Sequence, residues 1–207
     1  MSKYFRYAGI AASVVLIVFG VASIVIGAAG RNTVRDNLAA EKITGTPDMT
    51  PRAIKAEAAA AGLKNVDLPT CSVAGKAIDN GKDARCFAQY MRVHALEATG
   101  GQVYAEMGRY LDKAGKPTND EKVAAINPQT KKPVENGLRS LWINETALGT
   151  ALNTSFFAEN VALFSVVMGL ALLLTGIGFL VLTITLLRPA ARKERTTGKA
   201  ASPVLAG

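Results

Sequence analysis

Histidine occurs once in this chain, tryptophan once and cysteine twice, and these scarcities remove several kinds of chemistry at the outset. One histidine cannot supply the two imidazoles that, with a carboxylate, make a non-haem iron site. Zinc usually takes four ligands drawn from close pairs such as C-x-x-C, whereas Cys71 and Cys86 stand about 15 positions apart. The same spacing excludes the C-x-x-C pair of a thioredoxin-like redox centre. No metal, no cofactor and no catalytic residue is therefore expected. The single histidine, His94, is read as a packed, half-buried side chain, because a general base needs a nucleophile or an orienting carboxylate placed beside it.

Charge and proline are missing from two stretches, and these organise the chain. Residues 161–187 read VALFSVVMGLALLLTGIGFLVLTITLL and stop at Arg188-Pro189; residues 8–29 read AGIAASVVLIVFGVASIVIGAA. A helix crossing the hydrocarbon core needs about 20 apolar residues, since every backbone N–H and C=O must be satisfied inside the segment. The expected fold class is an all-α membrane protein: two antiparallel transmembrane helices (8–29 and 161–187) with a small extracytoplasmic helical domain (30–160) between them. Residues 1–7 and 188–207 are short cytoplasmic tails. The N-terminal apolar run of about 22 residues exceeds the 7–15 residues usual for a secretion signal, so it is read as an uncleaved anchor.

The net charge of +8 divides unevenly. Lys3 and Arg6 precede the first apolar stretch; Arg188, Arg192, Lys193, Arg195 and Lys199, against Glu194 alone, follow the second. The middle holds 17 Lys/Arg against 15 Asp/Glu. Positive charge next to a span is retained on the cytoplasmic side. Both termini are thus expected inside, with membrane lipid as a partner. The basic residues flank apolar stretches instead of forming an aromatic-interleaved face, so nucleic acid is not expected.

Small residues recur in both apolar stretches at spacings of four and three, as along a coiled-coil seam. In the first they are Gly9, Ser13, Gly20, Ser23, Gly27 and Gly30, with Leu16 among them; the second offers Ala162, Ser165, Gly169, Leu172, Gly176, Phe179 and Thr183. Small residues let membrane helices approach to backbone contact. An antiparallel register sets Leu16 beside Gly176, Gly20 beside Leu172 and Ser13 beside Phe179, and carried outward sets Ala158 beside Val34. A homo-oligomer would use the same seam between chains.

In the middle, Val34 and Leu38 extend the first helix two to three turns. Thr50-Pro51 starts a helix, a hydroxyl cap followed by proline at the first helical position, and Gly62 ends it. A loop follows over residues 63–83, with Pro69 and Asn80-Gly81 as turn signals. Outside the cytoplasm Cys71 and Cys86 are expected to be oxidised. The resulting disulfide would stabilise by roughly 3 kcal/mol through loop closure. Residues 84–99 form an amphipathic helix on Phe87, Tyr90, Met91 and His94. Residues 102–113 are expected to form another, with Val103, Met107 and Tyr110 on one side. A polar loop over 116–132 includes a helical turn at 120–125. After Pro133 and Asn136-Gly137, the stripe Leu138, Leu141, Leu148, Leu152 and Phe156 leads a helix without interruption into the second span, with a kink near Gly149 or Asn153 as one option.

The segments His94-Ala95-Leu96-Glu97, Gly100-Gly101, Tyr104-Ala105-Glu106 and the block 148–162 resemble a family of small two-pass membrane proteins of actinobacteria. The resemblance covers most of the chain and implies its layout: a short inner tail, an external helical domain, and a second span preceded by a Leu-rich helix. Members of that family are often catalogued as aromatic ring-opening dioxygenases. One histidine cannot meet the iron ligation such a label requires.

Two functions follow as expectations. The first is a non-enzymatic envelope protein that contacts another envelope component. The second is an extracytoplasmic ligand binder or sensor acting through a membrane partner, which calls for a pocket lined by Phe87, Tyr90, Tyr104 and Tyr110. A hydrolase or oxidoreductase would need carboxylates converging on His94.

Overall fold

A computed structural model describes residues 3–186. The basic tail expected at 188–207, and Leu187 before it, lie outside the described residues. The described residues divide into two compact units, 3–21 with 170–186, and Ala22–Gly169. The described elements are α1 (Lys3–Ala40), α2 (Pro51–Ala60), α3 (Gly81–Ala98), a 3-10 turn (Tyr104–Glu106), β1 (Tyr110–Leu111), β2 (Pro117–Thr118) and α4 (Gly137–Leu186). Both α1 and α4 are long and apolar enough to cross a membrane. At 38 and 50 residues each has residues to spare over the ~20 a crossing requires.

In the first unit, two antiparallel helical segments approach closely at glycines. A Cβ built on Gly176 would lie 3.0 Å from Leu16 Cβ and 3.0 Å from the Ile17 backbone nitrogen, and one on Gly9 would lie 2.7 Å from Thr183 Oγ1. Ser13 is fully buried and returns its hydroxyl to the Gly9 carbonyl at 2.8 Å. That bond satisfies a hydroxyl that burial would otherwise leave without a partner. Gly20 and Thr183 are buried as well. Phe179 departs from the expected register: it is 52% exposed, so its ring does not fill space at Ser13 but lies on the surface with Val14, Val18 and Phe19.

The second unit holds one main core. Ile54 and Ala58 from α2, Ala84, Phe87, Ala88, Tyr90 and Val93 from α3, Leu38 from α1 and Leu152 from α4 are buried together with Met49, Val73 and Ile78. A smaller cluster joins Ala95, Leu96, Met107 and Trp142. Thr50 caps α2 by accepting the Ala53 N–H at 3.2 Å. The chain from Ile43 to Met49 lies against the stretch Val73 to Ile78 through Ile78 N–H to Ile43 O, Gly45 N–H to Lys76 O and Val73 N–H to Met49 O. Gly45 is required there, because a Cβ would fall on the Val73 carbonyl. Gly27 packs against α4 in the same manner, with a Cβ position 2.6 Å from Ala162 O.

Two expectations need correction. Helix α3 begins at Gly81, not at residue 84: Asn80 caps it by accepting the Asp83 N–H at 3.0 Å, so the Asn-Gly pair is a helix start and not a turn. The single turn expected at 120–125 is present as a hydrogen-bonded turn over 121–123, with Ala124 N–H to Glu121 O at 3.3 Å, whereas residues 102–113 do not form a helix. Instead Tyr110 and Leu111 pair with Thr118 and Pro117. Bridges Tyr110↔Glu135, Asp112↔Ala124 and Ile126↔Pro133 extend the pairing. Gly100 and Gly101 hold positive φ, which stops a helix. Gly108 lets the backbone approach Thr118, whose nitrogen would lie 2.5 Å from an added Cβ. Pairing with the later strands supplies hydrogen bonds that a helix would have had to make internally. The fold is therefore mostly helical, with a small β ladder in its middle segment.

Candidate functional site

Cys71 and Cys86 are joined, with 6.1 Å between their Cα atoms. The bridge ties the loop before α3 to its second turn. Tyr90, one turn on, is fully buried and donates its hydroxyl to the Cys71 carbonyl at 2.7 Å. Burial pushes its phenol up from the usual value of 10.0.

Beside the bridge is a cleft of about 660 Å³ lined by Arg31, Arg35, Lys76, Lys82, Asp83 and Glu159, among others. Glu159 of α4 organises it. One carboxylate oxygen accepts from Nε of Arg31 and of Arg35, both at 2.9 Å, and the other accepts the Gly81 N–H at 2.6 Å. Burial alone would raise the Glu159 carboxyl, but the Gly81 N–H and the two guanidinium groups outweigh it and hold the group below its usual 4.5. A carboxylate at the first turn of α3 is also where the helix dipole favours negative charge. Gly81 permits this seat, since a Cβ there would lie 2.8 Å from Phe156 Cα and 3.0 Å from the carboxylate.

A second groove, of about 540 Å³, runs between α3 and α4 and is lined by Met91, His94, Leu141, Asn144, Glu145 and Leu148, among others. Glu145 is buried at its edge and takes Arg92 Nη1 at 3.2 Å, while the Arg92 guanidinium lies 4.0 Å above the Trp142 ring. The four aromatics expected to line one pocket do not meet in one. Phe87 and Tyr90 are core residues, Tyr104 lies under the Arg139 guanidinium at 3.9 Å, and Tyr110 is in β1.

The structure brings two carboxylates to His94, which the sequence did not pair. Asp48 lies in the turn before α2, Glu57 on α2 and His94 on α3, and each offers a donor atom within 4.8 Å of the others. The Thr46 hydroxyl, outweighing the opposing effect of burial, holds the Asp48 carboxyl below its usual 3.8. The three residues are separated by long intervals in the chain, and only the packing of α2 on α3 unites them.

The seam residues fall into the two units. Gly9, Ser13, Leu16, Gly20, Leu172, Gly176 and Thr183 are buried or half-buried in the first; Ser23, Gly27, Ala162, Ser165 and Gly169 are so in the second. Phe179 alone among them is exposed.

Comparison with known protein families, with curated proteins and with solved structures finds no match.

Proposed function

We propose that this chain is a two-pass protein of the cytoplasmic membrane, with both termini on the cytoplasmic side. Its middle segment, residues 30–160, is presented outside and acts by contact with another envelope component, not by catalysis. One observation carries the reading: the apolar side chains left on the surface of α1 and α4. Val14, Val18, Phe19, Val25 and Ile26 on one, and Phe164, Val167, Leu174, Ile177 and Ile184 on the other, are all exposed. A water-soluble protein does not tolerate an apolar surface of that extent, whereas lipid covers it at no cost. The disulfide supports an oxidising location for the middle segment, and the resemblance to actinobacterial two-pass proteins agrees with the layout. The groove lined by Met91, Leu141 and Leu148 favours a second reading, in which the middle segment binds an amphipathic ligand and passes the signal to a membrane partner.

Substituted-cysteine labelling in intact cells tests the topology. With a membrane-impermeant maleimide, Thr130→Cys should be labelled at once, and Thr197→Cys only after permeabilisation. The opposite pattern would overturn the arrangement and remove the basis for an exported disulfide.

A further inference from the structure

We infer that Asp48, Glu57 and His94 form a site for a divalent transition-metal ion of the zinc type, a role beyond the contact function proposed above. The geometry starts from His94. Its Nε2 is buried and makes no hydrogen bond, although it points at two acceptors: Asp48 Oδ2 and Glu57 Oε2 each lie 3.7 Å away. That distance is too long for a hydrogen bond, and leaving a buried ring nitrogen unpaired is costly. It is close to the separation of neighbouring ligands around a metal. With Zn–N and Zn–O bonds of about 2.1 Å in a tetrahedral shell, adjacent donor atoms sit roughly 3.4 Å apart. The two His94–carboxylate separations exceed that by a few tenths of an ångström, and the two partly exposed carboxylates, within 4.8 Å of each other, are free to close on an ion.

The donor set narrows the ion. Calcium and magnesium take oxygen ligands, whereas one imidazole with two carboxylates suits zinc and its neighbours in the first transition row. Two carboxylates balance the charge of a divalent ion. The side chains of His94, Asp48 and Glu57 are 30%, 38% and 33% exposed, so water or a group from a partner can occupy the remaining coordination position. The framework is firm on each side. Ile54 and Ala58 flank Glu57 in the core, and Tyr90 anchors α3 one turn before His94. The Asp48 turn is held by Met49 N–H to Thr46 O and Thr50 N–H to Asp48 O.

The test uses the full chain without an affinity tag, purified in detergent and stripped with a chelator, then titrated with zinc against a chromophoric competitor at neutral pH. Saturable binding of one zinc per chain is expected, with affinity lowered about tenfold or more in His94→Ala and in Glu57→Ala and unchanged in Glu121→Ala. X-ray absorption at the zinc edge of the unaltered protein should show a single imidazole with oxygen ligands and no sulfur. This reading stands even if a variant fails to fold. Absence of saturable binding, equal affinity in a folded His94→Ala variant, or sulfur in the zinc shell would each overturn the assignment. The remaining explanation for the cluster would then be plain side-chain packing of the His94 ring beside its two carboxylates.

Discussion

Replacing Glu159 with alanine should loosen three helices at once. Its carboxylate receives Arg31 from α1, Arg35 one turn later, and the first N–H of α3, all within 2.9 Å. The Glu159 side chain is only 12% exposed, so its own charge is well shielded from water; Arg31 and Arg35 are 43% and 44% exposed. Hydrogen bonds to a charged group contribute about 1.5–3 kcal/mol each where solvent is excluded. Screening at the exposed guanidinium groups cuts their share to the few tenths typical of surface pairs. The bond to Gly81 keeps most of its value, because it also satisfies an otherwise orphaned N–H at a helix start. The sum is about 2–3 kcal/mol. For a unit of this size that corresponds to a fall in Tm of roughly 5–10 °C, readable from the fluorescence of Trp142 in detergent. Glu159→Gln, which keeps an acceptor for Gly81 but not the charge, should fall between the two. The pH dependence has a definite sign. A carboxyl held below its usual 4.5 in the folded state contributes stability that is full above that value and is lost as pH falls through the lowered one. The gap between wild type and Glu159→Ala should therefore be constant near neutrality and narrow in acid below about 4.5. An alanine variant that melts within a degree of wild type, or a gap that widens in acid, would refute the reasoning.

The remaining predictions concern packing and covalent closure. Gly176→Leu places side-chain atoms where Ile17 already stands and should abolish disulfide crosslinking between cysteines engineered at positions 9 and 183, whose Cβ atoms would lie 3.5 Å apart, while Gly178→Leu, where a Cβ meets nothing, should leave it intact. Cys71→Ser with Cys86→Ser opens a loop of sequence separation 15 and should cost about 3 kcal/mol in the chain-entropy treatment, measured by denaturant unfolding of the two oxidised and mutant forms. Tyr90→Phe removes the bond to the Cys71 carbonyl and should cost about 1 kcal/mol in the same assay, leaving a partly buried carbonyl short of a partner.

What could be read from the sequence is what local rules decide. The ends of α2 follow from Thr50-Pro51 and from Gly62, whose φ of +69° only glycine adopts easily. The extent of α4 follows from an apolar stripe that no proline interrupts, and α1 continues to Ala40 as Val34 and Leu38 predict. The segment after Thr99 misled because Val103, Met107 and Tyr110 match a helical period while serving other ends. Met107 is buried against Trp142, and Tyr110 pairs with Thr118 and Glu135. Such pairing is set by residues far along the chain, which periodicity does not see. The triad of Asp48, Glu57 and His94 was hidden for the same reason. Its members share no motif, and their distance is fixed by how Ile54 and Ala58 of α2 enter the core with Tyr90 of α3. Glu159 carried a weak signal in being a lone acid at the edge of an apolar run, but its partners Arg31 and Arg35 lie at the far end of the sequence.

The bridge between Cys71 and Cys86 straddles Asn80 and Gly81, where α3 is nucleated. A nascent polypeptide still bathed in reductant would carry that start on a slack tether, with Gly81 N–H less firmly seated on Glu159. Only after two thiols surrender their electrons does the helix origin become a fixed address. On the proposed topology, each finished molecule bears a chemical record of having left the reducing space in which it was made.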